Sequence, residues 1–256
     1  GSNIQDGNYR FSTGYQQVNG VVNDTRTERY NINFNISKGL LDNKLSLRFS
    51  TKNAVVNDKF GSNQIGSALS FNPTQPVYFD TSLYEAGPPS GMTGRFGGFT
   101  EYNDPLAVAN PVAQSKHNKA IGKSYRSINN FEIIYKLPFI EGLSIKNNVA
   151  LDQKVTDNIE FRPDFLKTEL RTQGYYGFER STVQSFLYEG YLNYEKEIEA
   201  IEAKVSAVGG YSYQSWNKSF GFFNHDSLNT NAFGLEAPAP ISNSNIVIGN
   251  NSFQNR

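Results

Sequence analysis

Apolar and polar residues alternate along much of this chain with a period of two. Between residues 27 and 38, Tyr30, Ile32, Phe34 and Ile36 share one parity, and Asn31, Asn33, Asn35 and Ser37 share the other. Residues 43–52 repeat the pattern, with Leu45, Leu47 and Phe49 against Lys44, Ser46, Arg48 and Ser50. Residues 143–152 do so again, with Leu143, Ile145, Val149 and Leu151 against Ser144, Lys146, Asn148, Ala150 and Asp152. Successive side chains of an extended backbone point to opposite sides, so the pattern predicts β-strands with one apolar and one polar face. Strands are expected at 8–19, 27–38, 43–54, 124–136, 143–154, 182–196 and 201–216, making the chain all-β.

The connections carry as much information as the strands. Residues 39–42, 137–142 and 197–200 form short links. Residues 55–123, 155–181 and 217–256 are long and rich in Gly, Asn, Pro and aromatics, and 20–26 is a modest link on the long side. Short and long alternate in strict order. That order is expected of an antiparallel sheet that crosses a bilayer, with tight turns at one rim and long extracellular loops at the other. A soluble sandwich would have to accommodate the 55–123 connection, although structureless loops of such length are uncommon in compact domains. The strands also exceed the mode of about 5–6 residues in soluble proteins. An open sheet leaves backbone N–H and C=O groups unpaired along both edges, which hydrocarbon does not tolerate. About seven strands are therefore expected to be part of a larger transmembrane β-barrel.

Aromatic residues gather toward the expected strand ends: Tyr9, Phe11 and Tyr15; Tyr30; Tyr188, Tyr191 and Tyr194; Tyr211, Tyr213 and Trp216. Such rings, apolar in body and polar at the tip, suit the belts at a membrane interface. One segment admits two readings. In 192–208, Ile198, Ile201, Val205 and Val208 recur at helical spacing, whereas the flanking FLYEGYLNY and GGYSYQSW favour a hairpin with an acidic turn.

Composition narrows the function. Lys plus Arg and Asp plus Glu balance at 24 each, so no global field favours nucleic acid. The absence of Cys excludes disulfides, thiolate metal sites and cysteine nucleophiles together. Mean hydropathy is −0.53, an average in which amphipathic barrel strands are hidden. Enzyme chemistry finds little support. The two histidines, His117 and His225, fall in separate expected loops, and the carboxylates Glu195, Glu197, Glu199 and Glu202 cluster at a wet turn. No phosphate-binding glycine loop or nucleophile elbow occurs, so no catalytic residue, metal or cofactor is expected.

Residues 64–114 carry a more specific pattern: QIGSALSFNPTQPVYFD, then YEAG, then GGFTEYNDPLAVANPVAQ. This resembles the extracellular region of the SusC/RagA family of TonB-linked outer-membrane proteins from Bacteroidetes-type bacteria. The units that match are Asn72-Pro73, Pro76-Val77-Tyr78 and Asn110-Pro111-Val112. The hairpin NNFEIIYKLPFIEGLSIKNNVALD (129–152), DNKLSLRFSTKNA (42–54) and VGGYSYQSW (208–216) extend the likeness over essentially the whole chain. The resemblance implies a TonB-dependent transporter of the bacterial outer membrane. Its large barrel, set among outer-membrane lipids, is closed by a plug under a SusD-like lipoprotein lid. TonB, acting on the plug, powers import of a bulky nutrient oligomer, either glycan or peptide. On that reading this chain is a middle piece of the barrel, with the plug and the remaining strands outside it.

Aromatic rings with polar neighbours can stack on sugars or apolar side chains. The expected contacts to substrate or partner are therefore Tyr78, Phe79, Tyr84, Arg95, Phe96, Phe99 and Tyr102 in the first long loop, with Tyr175 and Tyr176 in the second. The competing expectation is that these rings pack the loops themselves. Arg48, Glu132 and Lys146 are placed on the polar, lumenal face. Two alternatives to an importer remain at this stage: a soluble secreted all-β binding or adhesion module, and a SusC-like scaffold in a surface assembly that does not transport.

Overall fold

The computed structural model describes residues 2–4, 6–61, 64–198 and 202–255. In chain order its strands are β1 (Ser2–Ile4), β2 (Gly7–Asn19), β3 (Arg26–Leu40), β4 (Leu45–Phe60), β5 (Met92–Thr93), β6 (Glu101–Tyr102), β7 (Lys119–Lys136), β8 (Leu143–Arg162), β9 (Tyr175–Ile198), β10 (Ala203–Asp226) and β11 (Ile246–Asn255). Helices α1 (Ile65–Ser70) and α2 (Pro111–His117) lie between β4 and β7. Nine strands form one antiparallel sheet in the order β1-β2-β3-β4-β7-β8-β9-β10-β11, while β5 and β6 pair separately within the first long loop. Each strand of the large sheet pairs with the strand next in that order.

Register is continuous, so parity assigns every side chain to a face. Tyr9, Ile36, Phe49, Phe131, Val149, Tyr188 and Tyr213 stand in one cross-strand row, and Asn8, Ser37, Arg48, Glu132, Asn148, Glu189 and Ser212 occupy the row behind it on the opposite face. The alternation read from sequence is thus a sheet with one apolar and one polar side. The aromatic belt is corrected at two positions. Tyr191 pairs with Lys146 and Trp216 with Ser185, which puts both rings on the polar side.

The sheet is also staggered. Leu40 is level with Leu45, Tyr135, Ile145 and Leu192, yet β9 continues beyond Leu192 to Ile198 before turning. The apolar residues follow: Tyr30 is the end of its band on β3, but its row reaches Thr182 on β9. A band that slides along the strands from one to the next is what strands tilted about 35–45° to a barrel axis require.

The strands outrun their sequence signal at the long-loop rim. β4 reaches Phe60, β8 reaches Arg162, β9 begins at Tyr175 and β10 ends at Asp226. The three long loops therefore span 61–118, 163–174 and 227–245 rather than the wider ranges expected. The stretch 217–256 contains a further strand, β11, and β1 is likewise an addition to the expected seven. The physical reason is visible in the sequence: GNNSFQN in β11 has no apolar face, and consecutive Phe222 and Phe223 in β10 break the alternation. His225, assigned to a loop from sequence, lies in β10. The 192–208 segment is a hairpin, with Ile198 opposite Ala203 and Asn193 opposite Val208, and the helical reading fails there. Ile201 lies outside the described residues.

No described side chain of the sheet between Gly7 and Phe60 is fully buried. The buried apolar residues are Met92, Phe96, Phe99, Ala113, Phe161, Leu166, Tyr176 and Leu228, all in the long loops or the strand ends that carry them. The core of this section therefore sits at one rim, not in the wall.

Candidate functional site

The first long loop builds its own frame around Asn110. Its side-chain carbonyl accepts from the backbone N–H groups of Val112 (3.0 Å) and Ala113 (3.3 Å), capping α2, whose first residue is Pro111. Pro is favoured at that position because its missing N–H would have no helical partner. The Asn110 amide donates to the carbonyls of Val77 (2.9 Å) and Thr100 (3.2 Å), and its backbone N–H donates to Glu101 Oε1 at 2.8 Å. One asparagine thus ties the start of α2 to the strand pair around Tyr78 and Phe99, which are joined by a β-bridge. Asn72 fixes an earlier bend, accepting from the Thr74 N–H at 3.0 Å and the Thr74 hydroxyl at 2.9 Å.

The second loop locks onto the first. Phe165 and Leu166 pack on Phe99 and Ala113. His117 stands edge-on between Phe99 (5.5 Å) and Phe165 (5.0 Å). Lys167, with its side chain 4% exposed, donates to the Ala107 carbonyl at 2.7 Å and lies 3.9 Å from Glu101, itself 2% exposed. Burial raises the Glu101 carboxyl above 4.5, against the opposing pulls of the Asn110 N–H and Lys167, and burial likewise lowers the Lys167 ammonium. Both shifts run against the ion pair, because at this separation desolvation outweighs attraction.

The same second loop holds the third. Ser227 and Leu228 donate to the carbonyls of Thr172 (2.7 Å) and Gln173 (2.9 Å), and Asp164 N–H donates to Asn231 at 3.1 Å. Leu228 fills a second core with Phe161 and Tyr176. Residues 163–174 therefore staple both neighbouring loops into one cluster, a role with no periodic signal in sequence.

The sequence-predicted contact residues separate into different places. Phe96 and Phe99 are core, at 3% and 1% exposed. Phe79 and Tyr84 are half-buried, with the Phe79 ring over Gly94. Tyr102 takes a hydrogen bond from the Gln75 amide. Tyr78 and Arg95 are exposed, the Arg95 guanidinium lying 4.6 Å over the Phe96 ring. Tyr176 is buried on the apolar side against Phe223 and His225, while Tyr175 faces the polar side beneath the Arg162 guanidinium at 4.3 Å. Packing thus claims Phe96, Phe99 and Tyr176. His117 and His225 are both ring-packed, and among the described residues no cluster of metal-ligating side chains occurs.

On the polar face the expected charges are joined into a network that spacing alone does not reveal. Glu132 accepts from Arg48 at 3.1 Å and from Lys146 at 2.7 Å, across three strands. Asn148 donates to Glu189 at 3.1 Å, and Tyr191 donates to the same carboxylate at 3.2 Å. The wall is thus polar and internally paired on one side and apolar on the other.

No family model matches the chain. It is 26% identical over 223 residues to the TonB-dependent receptor P3 of Formosa agariphila, a match covering 87% of this chain and 21% of that protein. It is 23% identical over 154 residues to the TonB-dependent receptor SusC of Bacteroides thetaiotaomicron, covering 56% of this chain and 15% of that one. The solved RagAB peptide transporter matches 97% of this chain with a TM-score of 0.71 at 15% identity, using 27% of its own chain. The RagAB peptide importer in its closed-closed state gives 0.72 at 17% identity over 98% of this chain. The chain has the fold of a section of such a transporter barrel.

In a section of a barrel of this fold, the apolar face is the outside of the wall and the polar face lines the lumen. The Asn-Pro units that carry the resemblance have local physical work: Asn72 closes a turn and Asn110 clamps the first loop. The section spans about a fifth of the receptor P3.

Proposed function

We propose that this section belongs to a SusC-like, TonB-dependent importer in the bacterial outer membrane. The observation that carries the reading is the continuous antiparallel wall, apolar outside and polar inside, crowned at one rim by three interlocked loops. The apolar face contacts lipid. The polar face surrounds a plug that TonB displaces, and the loop cluster meets a SusD-like lipoprotein over the mouth. Cargo is a bulky nutrient, peptide or glycan oligomers. Tyr78 and Arg95 are exposed and face partner or cargo, and Tyr84 is half-buried in the same loop. Phe79, Phe96, Phe99 and Tyr102 hold the loop that presents them.

The test uses the bacterium that makes the full-length receptor. Deleting the receptor is expected to abolish uptake of one class of labelled oligomer, and loss of TonB is expected to have the same effect. A tagged receptor is expected to bring down a lipoprotein of the SusD type. Unchanged uptake of every oligomer after deletion, with the lipoprotein still bound, would replace the importer with a surface scaffold.

A further inference from the structure

On the outward face, the apolar band of β3, β4, β7 and β8 ends at the row Tyr30, Val55, Tyr125 and Val155. Beyond that row, toward the long loops, the same face becomes cationic. Lys123 stands one row above Tyr125, Lys59 two rows above Val55 and opposite Ile121, and Lys119 three rows above Tyr125. All three share the parity of Phe49 and Phe131, so they point out of the barrel. One row is two residues of a tilted strand, which carries a charge roughly 5 Å farther from the apolar band.

The carboxylates of this patch are already matched. Asp24 accepts from Lys59 at 3.1 Å, Glu28 pairs with Arg26, and Asp157 takes both arms of the Arg180 fork at 2.7 Å. Lys119 and Lys123 are exposed and have no ion-pair partner among the described residues. Diagonal neighbours on paired strands lie about 7–8 Å apart, so both are close to Lys59. Ammonium groups at that spacing repel one another unless an anion lies among them. Beside them is a recess of about 100 Å³, lined by Lys59, Ser115, Asn118, Lys119, Ile121 and Leu235. The Asn118 side-chain carbonyl is buried without a hydrogen-bond partner among the described residues. That acceptor needs a donor, which an ionised phosphate lacks and a sugar hydroxyl has.

We infer that this patch holds the anionic headgroup of an outer-leaflet glycolipid, a phosphorylated lipopolysaccharide, against the outside of the barrel. The inference rests on the reading of the apolar face as the lipid contact, which the lysines continue outward. A phosphate at the membrane interface meets Lys123 through charge-assisted hydrogen bonds. Anionic groups on the sugars above it meet Lys59 and Lys119, and Asn118 accepts from a sugar hydroxyl. A glycerophospholipid is too short for this patch. Its headgroup layer is about 5–7 Å deep, whereas the lysines climb roughly 15 Å above the apolar band.

The experiment is titration of the purified full-length receptor in detergent, with bound lipid counted by native mass spectrometry. The probes are lipopolysaccharide from the bacterium that makes the receptor, the same lipid after dephosphorylation, and phosphatidylglycerol. Lipopolysaccharide is expected to bind about tenfold more tightly than phosphatidylglycerol, an advantage that shrinks on dephosphorylation and as salt rises. The double variant Lys119→Gln, Lys123→Gln is expected to erase the advantage. Neither lysine makes an ion pair that folding needs, and unchanged phosphatidylglycerol binding reports an intact barrel. Equal binding of the two intact lipids to the unaltered receptor would overturn the glycolipid assignment. An advantage that survives the double variant would overturn the patch. Insertion into phospholipid vesicles tests the lipid-facing reading separately: a receptor that inserts but shows no preference sinks the patch alone, whereas one that stays in the aqueous phase sinks both.

Discussion

The wall and the loop cluster of this section obtain their order from different sources. The wall has no buried apolar residue of its own between β2 and β4, and its outward face carries Phe11, Tyr15 and Ile32 more than half exposed, with Tyr30 close behind. Its internal coherence is the backbone ladder, and its missing apolar burial is expected from lipid. The loop cluster has what soluble proteins have: two small apolar cores, a capped helix and a buried polar clamp. The difference teaches that stability at the rim is decided by side-chain packing, whereas stability in the wall is decided by the match between face and solvent.

Phe99→Ala should produce the largest local effect. Phe99 is 1% exposed in the first core, touched by Leu166, Ala113 and His117, and truncating such a ring costs about 3–5 kcal/mol. Hydrogen exchange in the full-length receptor is expected to show loop 61–118 opening by that amount while the amides of β2–β4 keep their protection. If the wall amides lost protection equally, rim and wall would form one cooperative unit and the contrast between them would fail.

The wall is probed by a pair of substitutions at neighbouring positions. Phe34→Arg places a cation on the lipid face, between Phe11 and Thr51, and is expected to cost about 2–4 kcal/mol near the bilayer midplane. Asn33→Arg places the same side chain on the lumen face and should stay within about 0.5 kcal/mol. Denaturant titration of the barrel folded into phospholipid vesicles reads both. Equal costs would mean that the two faces do not see different solvents.

Much of the wall was legible because a period of two is a global signal: strand after strand repeats it, and short and long connections alternate with it. Legibility failed where that signal is overwritten. β8 and β9 run past the alternation because Phe161 and Tyr176 are covered by Leu228 from another loop, a contact that no local pattern encodes. β11 is held by its ladder to β10, and beyond Ile248 it has no apolar face. The loop aromatics were found as a composition, but which of them pack and which face out depends on Asn110, Lys167 and residues 163–174, brought together from distant parts of the chain. The lumenal triad of Arg48, Glu132 and Lys146 was visible as parity, and only the register joined it.

Asn110→Ala tests how far the clamp, rather than the apolar core, holds the rim. The substitution removes the cap of α2, worth about 1 kcal/mol, and strips the Val77 and Thr100 carbonyls of a buried donor. A total near 2 kcal/mol is expected as faster proteolysis of loop 61–118, smaller than the Phe99→Ala effect. Asn110→Asp should recover the cap but not the donors, and should fall between Asn110 and Asn110→Ala only if the added charge beside Glu101 is tolerated.

The smallest effect is a pH dependence confined to the rim. His117 is held below its ordinary 6.5, first by burial between the rings and then by Lys116 and Lys119. Protonation is therefore costlier in the folded cluster than in the open loop, so the histidine's contribution is complete above pH 6.5 and is lost as pH falls through its lowered value. Glu101 runs the other way: burial raises its carboxyl above 4.5, so its contribution is complete below pH 4.5 and is lost as pH rises through the raised value. The two oppose each other in mild acid, which is why a simple pH titration of the rim would look shallow. His117→Phe keeps an edge-on ring between Phe99 and Phe165 and removes one of the two titrations. Comparing loop protection in the receptor and this variant at each pH isolates the histidine: the two should run parallel above pH 6.5, and the unaltered receptor should lose ground below it. Parallel behaviour throughout the acid range would mean that His117 stays hydrated and that the ring stack contributes packing alone.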